Sequence, residues 1–292
     1  MSYSIKIADF NNPDVDLALR NLIKVANNAV ERLPENYLHA NLQSNASKPS
    51  FFLVAEENNK IIGCNGFLAN DFLLNGISYT GYQSCWSATD PNHQEKGVFT
   101  SIISAAKNIL KEQGAGFLYG IANNRSNPIF TKKLEFTETG SLVLRIPNIP
   151  FFRQLYFNKA VVQDGKHACM INEAQVLKHK LMQYPSDVKT VKYKNSWLWG
   201  RLIQKKKFGV KWPVFYVGGI QLAAADDLSG LVSEIFKLYN VLFVQFFSCK
   251  TNSFNCLLKG WKKSEMNGFI FYSLNIPEFE HFNLMIGPLD IF

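Results

Sequence analysis

The segment Thr89-Asp90-Pro91-Asn92-His93-Gln94-Glu95-Lys96-Gly97-Val98-Phe99-Thr100 decides the fold, because it joins a strand to a helix. Residues 77–89 alternate between two faces, as strand residues do. After the segment, apolar residues recur at three- and four-residue spacing, which predicts an amphipathic helix over about 97–111. The members of this series are Val98, Ile102, Ile103, Ala106 and Ile109.

A helix start of this kind can bind an anion. Its first backbone N–H groups are unpaired and the helix dipole is positive there, so a pyrophosphate can dock without dedicated cationic side chains. Gly97 would let the backbone approach the phosphate closely, and Lys96 could add a charge. The alternative is an ordinary helix start in which Gly97 serves a turn. The local pattern alone favours neither the anion site nor the ordinary helix start.

Outward from this segment, the first half of the chain alternates between strands and helices. A hairpin is predicted to turn at Asn58-Asn59. A strand, a helix and a strand in succession imply a right-handed parallel crossover on one sheet. The predicted strands cover residues 3–8, 51–55, 60–67, 77–89, 117–122 and 136–145, and helices begin at Pro13, near Gly97 and at Asn127.

Pro147 and Pro150 mark the predicted domain boundary, which gives a first domain over 1–147 and a second over 148–292. The second half repeats part of the order of the first, which makes a structural duplication a hypothesis. Its predicted strands cover residues 188–202, 214–225, 242–248 and 268–274, with a helix over 228–238. The predicted fold class is α/β (α+β), a mixed twisted sheet with flanking helices followed by a second α/β domain.

Composition narrows the function. The chain has 292 residues, 47% of them hydrophobic and 18% charged, which indicates a globular protein with room for two domains. Its net charge of +8 favours anionic partners, but no nucleic-acid-binding motif accompanies it. Five scattered cysteines support neither a disulfide framework nor a zinc site. No signal peptide and no apolar run of membrane-spanning length is found, so a soluble, cytoplasmic protein without metal is expected.

At this point residues 4–145 resemble the GNAT N-acetyltransferase superfamily. The family's phosphate loop reads Gln/Arg-x-x-Gly-x-Gly/Ala; Gln94 and Gly97 match it, and Phe99 replaces the second small residue. The resemblance implies a GNAT-type sheet, a coenzyme A thioester as the acyl donor, and direct attack of a primary amine on that thioester. The second domain could then be a degenerate GNAT-like unit, or it could serve acceptor binding or dimerisation.

A second motif supports the resemblance. Family members often carry an Asn after the next strand and then a helix ending in Tyr-x-x-x-Gly-Phe; here Asn124 and Phe136 match, Thr131 occupies the Tyr position and Glu135 the Gly position. That tyrosine commonly protonates the departing thiolate. Water, Thr131 or Tyr119 would have to replace it, or the thiolate leaves unassisted. For Asn124, a helix cap is the equally weighted alternative.

The resemblance also implies which residues form the site. The strand that carries Trp86, Ser87 and Ala88 would bond the pantetheine arm through its backbone and present an N–H to the thioester carbonyl. The general base stays open among Asp90, His93, Glu56, Glu57 and a water relay, and the alternative role for Asp90 is that of a turn cap. Implied catalytic residues are Ser87, Asp90 and Thr131; implied coenzyme A-binding residues are Trp86, Ala88, Gln94, Glu95, Lys96, Gly97, Val98, Phe99, Thr100, Asn124 and Asn127.

In the second half, alternation places Trp197, Trp199 and Arg201 on one strand face, where they suit an acceptor that contains a sugar, a nucleobase and a phosphate. A core face closed by an amphipathic arginine is the favoured alternative. This cluster, the chain length and the Asp290-containing end resemble two-part GNAT enzymes that acylate nucleotide-linked (dTDP or UDP) amino sugars for bacterial surface polysaccharides.

Within that class the donor can be acetyl-CoA or a hydroxyacyl-CoA such as 3-hydroxybutyryl-CoA, and a homodimer is a possible assembly. Rival acceptors are a peptide, a polyamine or an aminoacyl-tRNA. A non-catalytic coenzyme A sensor is the rival outside the enzyme class, since Thr131 replaces the usual acid.

Overall fold

The computed structural model describes residues 3–29, 31–43, 46–158, 167–170, 176–178, 180–181, 186–207, 209–264, 268–276 and 281–283. Asp290 therefore lies outside the described residues. The chain divides into two compact units: the first comprises residues 1–72, 78–138 and 269–278, and the second comprises 73–77, 139–268 and 279–292.

The strands are β1 (Ser4–Ile7), β2 (Phe51–Glu57), β3 (Lys60–Leu74), β4 (Ile77–Thr89), β5 (Phe117–Ile121), β6 (Thr137–Thr139), β7 (Ser141–Pro147), β8 (His167–Met170), β9 (Val188–Tyr193), β10 (Ser196–Lys207), β11 (Val210–Gln221), β12 (Phe243–Cys249), β13 (Lys262–Lys263), β14 (Phe269–Ser273) and β15 (His281–Asn283). The helices are α1 (Pro13–Ala26), α2 (Tyr37–Leu42), α3 (Val98–Glu112), α4 (Asn127–Lys133) and α5 (Asp227–Tyr239), with short 3₁₀ turns at Pro91–His93, Pro150–Tyr156 and Ser253–Leu257.

The first unit is organised around a sheet in the order β1-β2-β3-β4-β5-β14-β6. β1 pairs with β2, β2 with β3, and β5 with β14, all antiparallel. β4 and β5 are parallel neighbours, as the predicted crossover requires, and α3 connects them. Only three residue pairs join them, between residues 81–83 and 117–119.

Helices cover both faces of this sheet. On one face α3 packs through Val98, Ile102 and Ala106 against Leu53 of β2. On the other face α1 and α2 pack against Phe52, Val54 and Cys64. Because successive strand residues point to opposite sides, the adjacent Phe52 and Leu53 belong to different cores. The predicted amphipathic helix at the loop is confirmed, with bounds Val98–Glu112.

The second unit repeats this plan. Its sheet has the order β13-β7-β12-β11-β10-β9, and α5 connects its one parallel pair, β11 and β12. β9-β10, β10-β11, β12-β7 and β7-β13 are antiparallel. The two sheets correspond strand by strand. The positions of β2, β3, β4, β5, β14 and β6 in the first sheet are taken in the second by β9, β10, β11, β12, β7 and β13. The order of elements therefore supports the duplication hypothesis.

Each sheet takes one central strand from the other half of the chain: β7 pairs with β12 in the second unit, and β14 pairs with β5 in the first. This exchange corrects one prediction. Residues 136–145 do not form one closing strand, because Gly140 separates β6 from β7 and the two join different sheets. The chain passes from the first unit to the second between Glu138 and Thr139, close to the boundary predicted at residue 147.

Other predicted elements differ in detail. The hairpin turn at Asn58-Asn59 is confirmed, with φ of +50° and +61°. The single strand predicted over 188–202 is a hairpin of β9 and β10, because Lys194 adopts φ +52° and reverses the chain. Helix α2 has no counterpart among the predicted elements. Among the described residues, no helix is long and apolar enough to cross a membrane.

Candidate functional site

The start of α3 is open to an anion. Gly97 precedes the helix with φ +79°, and no side chain caps it. The first hydrogen bond of the helix joins Ser101 N–H to Gly97 O over 2.9 Å. Within the described part of the chain, the N–H groups of Val98, Phe99 and Thr100 have no protein acceptor. Three donors at the positive end of a helix form the arrangement that binds phosphate in proteins.

The loop before α3 keeps this helix start accessible. Pro91–His93 forms a 3₁₀ turn, and Glu95 adopts φ +63°. The side chains of Gln94, Glu95 and Lys96 are exposed, and a Cβ on Gly97 would meet no atom within 4 Å. A phosphate group can therefore reach the backbone of residues 96–100 without displacing protein atoms. Phe99 packs its ring edge-on against Phe130 of α4, at 5.3 Å between centroids, so it points away from the loop face.

Strand β4 continues beyond its pairing with β5. After the Gln83–Tyr119 pair, six residues of β4 (84–89) run on without a β5 partner. In this stretch Trp86 has φ +48°, a strained conformation for a residue with a large side chain. The sheet therefore opens beside the same edge at which α3 begins. A linear ligand arm bound to the β4 backbone there would lie next to the α3 N-terminus.

A polar cluster lies on the opened part of β4. The buried Asn65 Oδ1 of β3 accepts hydrogen bonds from Ser84 Oγ, at 3.1 Å, and from Ser87 Oγ. Residues three apart on a regular strand point to opposite faces, so the Trp86 distortion is what lets both hydroxyls reach one acceptor. Ser87 is exposed, which leaves its oxygen lone pairs available to a ligand. Sequence patterns gave no indication of Asn65, because its partner hydroxyls depend on a backbone distortion.

After β5, the two adjacent asparagines have different roles. Asn123 Oδ1 accepts from the N–H groups of Arg125 and Ser126, at 3.0 and 2.9 Å, and so caps the turn before α4. Asn124 is exposed and has no hydrogen-bond partner among the described residues. Asn123 is therefore the capping residue, and Asn124 remains a candidate for ligand binding.

On α4, Asn127 and Thr131 are engaged with protein groups. Asn127 Nδ2 donates to Glu138 Oε2 at 2.9 Å, and its buried Oδ1 lacks a described partner. Thr131 Oγ1 donates to Asn127 O at 2.9 Å. The Thr131 hydroxyl proton is thus held within its own helix, which does not favour a role in protonating a thiolate.

Tyr119 does not fit the role of general acid either. Its ring is fully buried, and its hydroxyl accepts a hydrogen bond from Asn70 Nδ2 at 2.8 Å. Burial raises the pKa of Tyr119 well above its ordinary value. A phenol with a raised pKa and no solvent contact is a poor proton donor to a thiolate.

The four candidate bases are paired with one another or with lysines. Asp90 Oδ2 accepts from Lys60 Nζ at 2.9 Å, His93 Nε2 contacts Glu57 Oε2 at 3.1 Å, and Glu56 pairs with Lys6 at 2.8 Å. The bond to Lys60, followed by the Asn92 N–H, lowers the pKa of Asp90 to about 2. So acidic a carboxyl is a weak base. These contacts favour the capping role for Asp90 and tie the loop to the β2–β3 hairpin.

The corresponding helix start in the second unit, that of α5, carries a buried carboxylate. Asp227 opens α5 and is buried; its Oδ2 accepts from Ser196 Oγ at 2.7 Å, and its Oδ1 pairs with Lys194 Nζ at 3.1 Å. The Ser196 hydroxyl, more than Lys194, lowers the pKa of Asp227 and keeps it ionised. A carboxylate at a helix N-terminus already occupies the place where an anion would bind. The second unit thus repeats the sheet order of the first but has a buried, lysine-paired carboxylate at the corresponding helix start.

The three predicted acceptor-binding residues have different environments. Trp199 is fully buried, which favours the core alternative for its ring. Trp197 is partly exposed and donates from Nε1 to Gln221 Oε1 at 2.7 Å. Arg201 forms an ion pair with Asp187 at 3.2 Å. Across neighbouring strands, Arg201 is paired in register with Tyr216, Tyr216 with Gln245, and Gln245 with Arg145. Arg145 and Arg201 thus lie on one face of the second sheet.

Comparisons with known proteins support the GNAT resemblance of the first part of the chain. Residues 12–138 match the family model described as an acetyltransferase (GNAT) domain. A search of curated proteins found no match.

Solved structures share the fold over 94% of the chain. A probable N-acyltransferase from Enterococcus faecalis has a TM-score of 0.65 at 10% identity, with 73% of that chain covered. A GCN5-related N-acetyltransferase from Anabaena variabilis has a TM-score of 0.63 at 12% identity, with 73% covered. Eis1 from Mycobacterium abscessus has a TM-score of 0.59 at 12% identity, with 74% covered. At these identities the likeness establishes the fold.

Proposed function

We propose that this chain, which belongs to the GNAT superfamily and is an acyl-CoA-dependent N-acyltransferase, acylates the amino group of an amino sugar in its nucleotide-linked form. The observation that carries the donor part is the uncapped α3 start beside the opened stretch of β4. The pyrophosphate of the donor would bind the N–H groups of residues 97–100, and its pantetheine arm would follow residues 84–89.

In this arrangement the protein contributes binding and alignment. Backbone donors that already point at the phosphate lose no orientational freedom on binding. Holding amine and thioester in contact can supply several kcal/mol of the barrier. Ser87, exposed and oriented by Asn65, can accept a hydrogen bond from a reacting group that reaches the opened strand. Proton removal from the amine is assigned to water, because Asp90, His93, Glu56 and Glu57 are engaged in pairs.

For the acceptor, two features support a nucleotide-linked amino sugar. The net charge of +8 favours an anionic substrate over a polyamine. Trp197 offers a partly exposed ring, and Arg201 and Arg145 offer guanidinium groups on one sheet face, which suits bases and phosphates. Trp197 and Arg201 accordingly stay the proposed acceptor residues. An acetyl or a hydroxyacyl donor would be compatible with the same loop.

The test is release of free thiol from acyl-CoA in the presence of different amines. A dTDP- or UDP-linked amino sugar is expected to give turnover, with acetyl-CoA and 3-hydroxybutyryl-CoA compared as donors. An unlinked amino sugar, a polyamine, a peptide and an aminoacyl-tRNA serve as comparison acceptors. Faster turnover with any of these would overturn the acceptor proposal, and coenzyme A binding without turnover on any amine would favour a sensor.

A further inference from the structure

The β10–β11 hairpin of the second unit extends beyond its sheet. On one side, β9 pairs with β10 only at residues 196–201, and on the other, β12 pairs with β11 only at residues 214–216. Residues 204–207 and 210–212 therefore form a free ribbon, which pairs with no third strand among the described residues. At a strand rise of about 3.3 Å per residue, this free ribbon is roughly 13 Å long. An isolated two-stranded ribbon is marginally stable in water, which favours a function in which the ribbon rests on another surface.

The excess positive charge of the chain is concentrated in the strands around this ribbon. Residues 188–221, which comprise β9, β10 and β11, contain eight lysines and arginines and no acidic residue. These cations are Lys189, Lys192, Lys194, Arg201, Lys205, Lys206, Lys207 and Lys211. Without these eight, 23 of the chain's 31 lysines and arginines remain, equal to its 23 acidic residues. The net charge of +8 thus comes from this one segment.

Four of these cations lie in the free ribbon. Lys206 and Lys211 stand opposite each other in the register, and like charges in cross-strand positions destabilise a hairpin. Lys205 Nζ lies 4.8 Å from the centroid of the Tyr216 ring and 3.4 Å from Gln245 Oε1, both neutral groups. In the described part of the chain, neither Lys205 nor Lys211 forms an ion pair. Because an anionic partner would remove the repulsion between these cations, the arrangement favours such a partner.

Apolar side chains are exposed on the same ribbon. Val210 is 51% exposed and Trp212 is 38% exposed. One residue separates them, so they lie on one face, and Lys205, opposite Trp212 in the register, shares that face. A solvated lysine-rich turn would leave these exposed apolar groups without a role. Exposed tryptophan and aliphatic side chains bordered by lysine are typical of segments that enter the headgroup region of a bilayer.

A bilayer fits the free ribbon better than a nucleic acid does. Both partners are polyanions, and Trp212 offers a ring on which a base could stack. Val210 has no flat face for stacking, whereas the boundary between headgroups and acyl chains would remove its apolar surface from water. Lysine stems can follow the same boundary while their ammonium groups reach lipid phosphates. The ribbon, about 13 Å long, also exceeds the roughly 5–10 Å depth at which interfacial segments lie.

We propose that the free ribbon docks the protein on an anionic lipid bilayer, with Val210 and Trp212 entering the interface and the ribbon lysines binding headgroup phosphates. The docking is peripheral and reversible, since one short apolar face anchors far less strongly than a membrane-spanning helix. It is independent of acyl transfer, because neither the α3 loop nor Ser87 belongs to the ribbon. Where the proposed function also holds, docking places acyl transfer at a membrane surface.

The first experiment is co-sedimentation of the full chain with vesicles of equal parts phosphatidylglycerol and phosphatidylcholine, compared with vesicles of phosphatidylcholine alone. Binding to the anionic vesicles is expected, and it should weaken with added salt. Each lysine near an anionic surface contributes about a fivefold change in binding, so Lys206→Gln combined with Lys211→Gln should weaken it about 25-fold. The control is Lys262→Gln combined with Lys263→Gln, which removes the same charge from exposed lysines of β13 and should leave binding nearly unchanged.

The second experiment tests insertion. Quenching of tryptophan fluorescence by vesicles with brominated acyl chains is expected in the parent chain and should be lost in Trp212→Phe. Val210→Thr keeps a β-branched side chain and is expected to weaken vesicle binding a few-fold. Thermal melting reports that each variant is folded. The Lys206→Gln and Lys211→Gln double variant should melt no lower than the parent, because it removes a like-charge pair.

The absence of a preference for anionic vesicles, or equal losses in the ribbon and β13 variants, would overturn the proposal. Quenching that persists in Trp212→Phe would contradict insertion of the ribbon. Binding of single-stranded RNA that the ribbon variant weakens, without binding to vesicles, would also overturn the proposal and assign the ribbon to nucleic acid. Failure of the parent chain to bind coenzyme A would contradict the proposed function alone.

Discussion

The Asp90 carboxylate accepts a hydrogen bond from the Lys60 ammonium at 2.9 Å, and this contact holds the loop before α3 to the β2–β3 hairpin. Asp90 is buried while Lys60 is 68% exposed, so water screens the pair and its energetic contribution is modest. The same contact explains why the pKa of Asp90 falls to about 2 from its ordinary 3.8.

Asp90→Asn is therefore expected to cost about 1 kcal/mol of stability or less and to leave kcat near neutral pH within about threefold. The folded pKa lies below the unfolded one, so the stabilisation is complete above pH 3.8 and is lost as the pH falls toward about 2. Thermal unfolding at pH 7 and at pH 2.5 measures this, with a smaller difference between variant and parent at the lower pH. A hundredfold loss of kcat with unchanged stability would instead identify Asp90 as catalytic.

The neighbours Asn123 and Asn124 should separate stability from ligand binding. Asn123→Ala removes the acceptor of two backbone N–H groups and is expected to cost about 1 kcal/mol. Asn124→Ala should leave the melting temperature unchanged and weaken coenzyme A binding several-fold. Calorimetry of unfolding and of coenzyme A binding on both variants provides the measurements. The reverse pattern would show that Asn124 is the structural residue of the two.

Coenzyme A should bind once per chain. Asp227 at the start of α5 is buried and paired with Lys194, whereas the first turn of α3 carries no acidic residue. Titration calorimetry is expected to give a stoichiometry near one. A stoichiometry near two would contradict the view that only the first unit binds coenzyme A.

The first unit should not fold without β14. Phe269 and Ile270 are buried, and β14 occupies the hydrogen-bonding edge of β5 beside the proposed donor site. A chain ending at residue 147 exposes that edge and is expected to aggregate. Linking residues 268–276 flexibly to residue 138 should restore a soluble, cooperatively melting protein. Cooperative unfolding of the chain 1–147 alone would argue that the exchanged strand is dispensable.

Local patterns predicted the elements that depend on neighbouring residues. The spacing from Val98 to Ala106 located α3, and Asn58-Asn59 located a hairpin. The exchange of β7 and β14 could not be predicted in this way, because a strand's own residues do not encode a partner that lies about 100 or more positions away. The break between β6 and β7 at Gly140 was the one sign of this strand exchange in the local sequence.

The same distinction between local and long-range contacts applies to the residues of the candidate site. Gln94, Gly97 and the helix start were accessible to sequence reasoning because the loop is one continuous segment. The Asn65 cluster, the capping role of Asn123 and the burial of Trp199 depend on contacts between separate elements. Alternation along β10 placed Trp197 and Trp199 on one face, but it could not show that only Trp197 keeps exposed surface.

The central claim is that coenzyme A binds at the start of α3, and Gly97 and Gly76 provide a matched pair to test it. Both have φ +79° and both have no atom within 4 Å of an added Cβ, so Gly97→Trp and Gly76→Trp carry similar backbone strain. Coenzyme A binding to the two variants, measured by titration calorimetry at equal folded fraction, is the most direct measurement. We expect binding to be lost in Gly97→Trp and unchanged in Gly76→Trp; equal affinity in both would show that the phosphate site lies elsewhere.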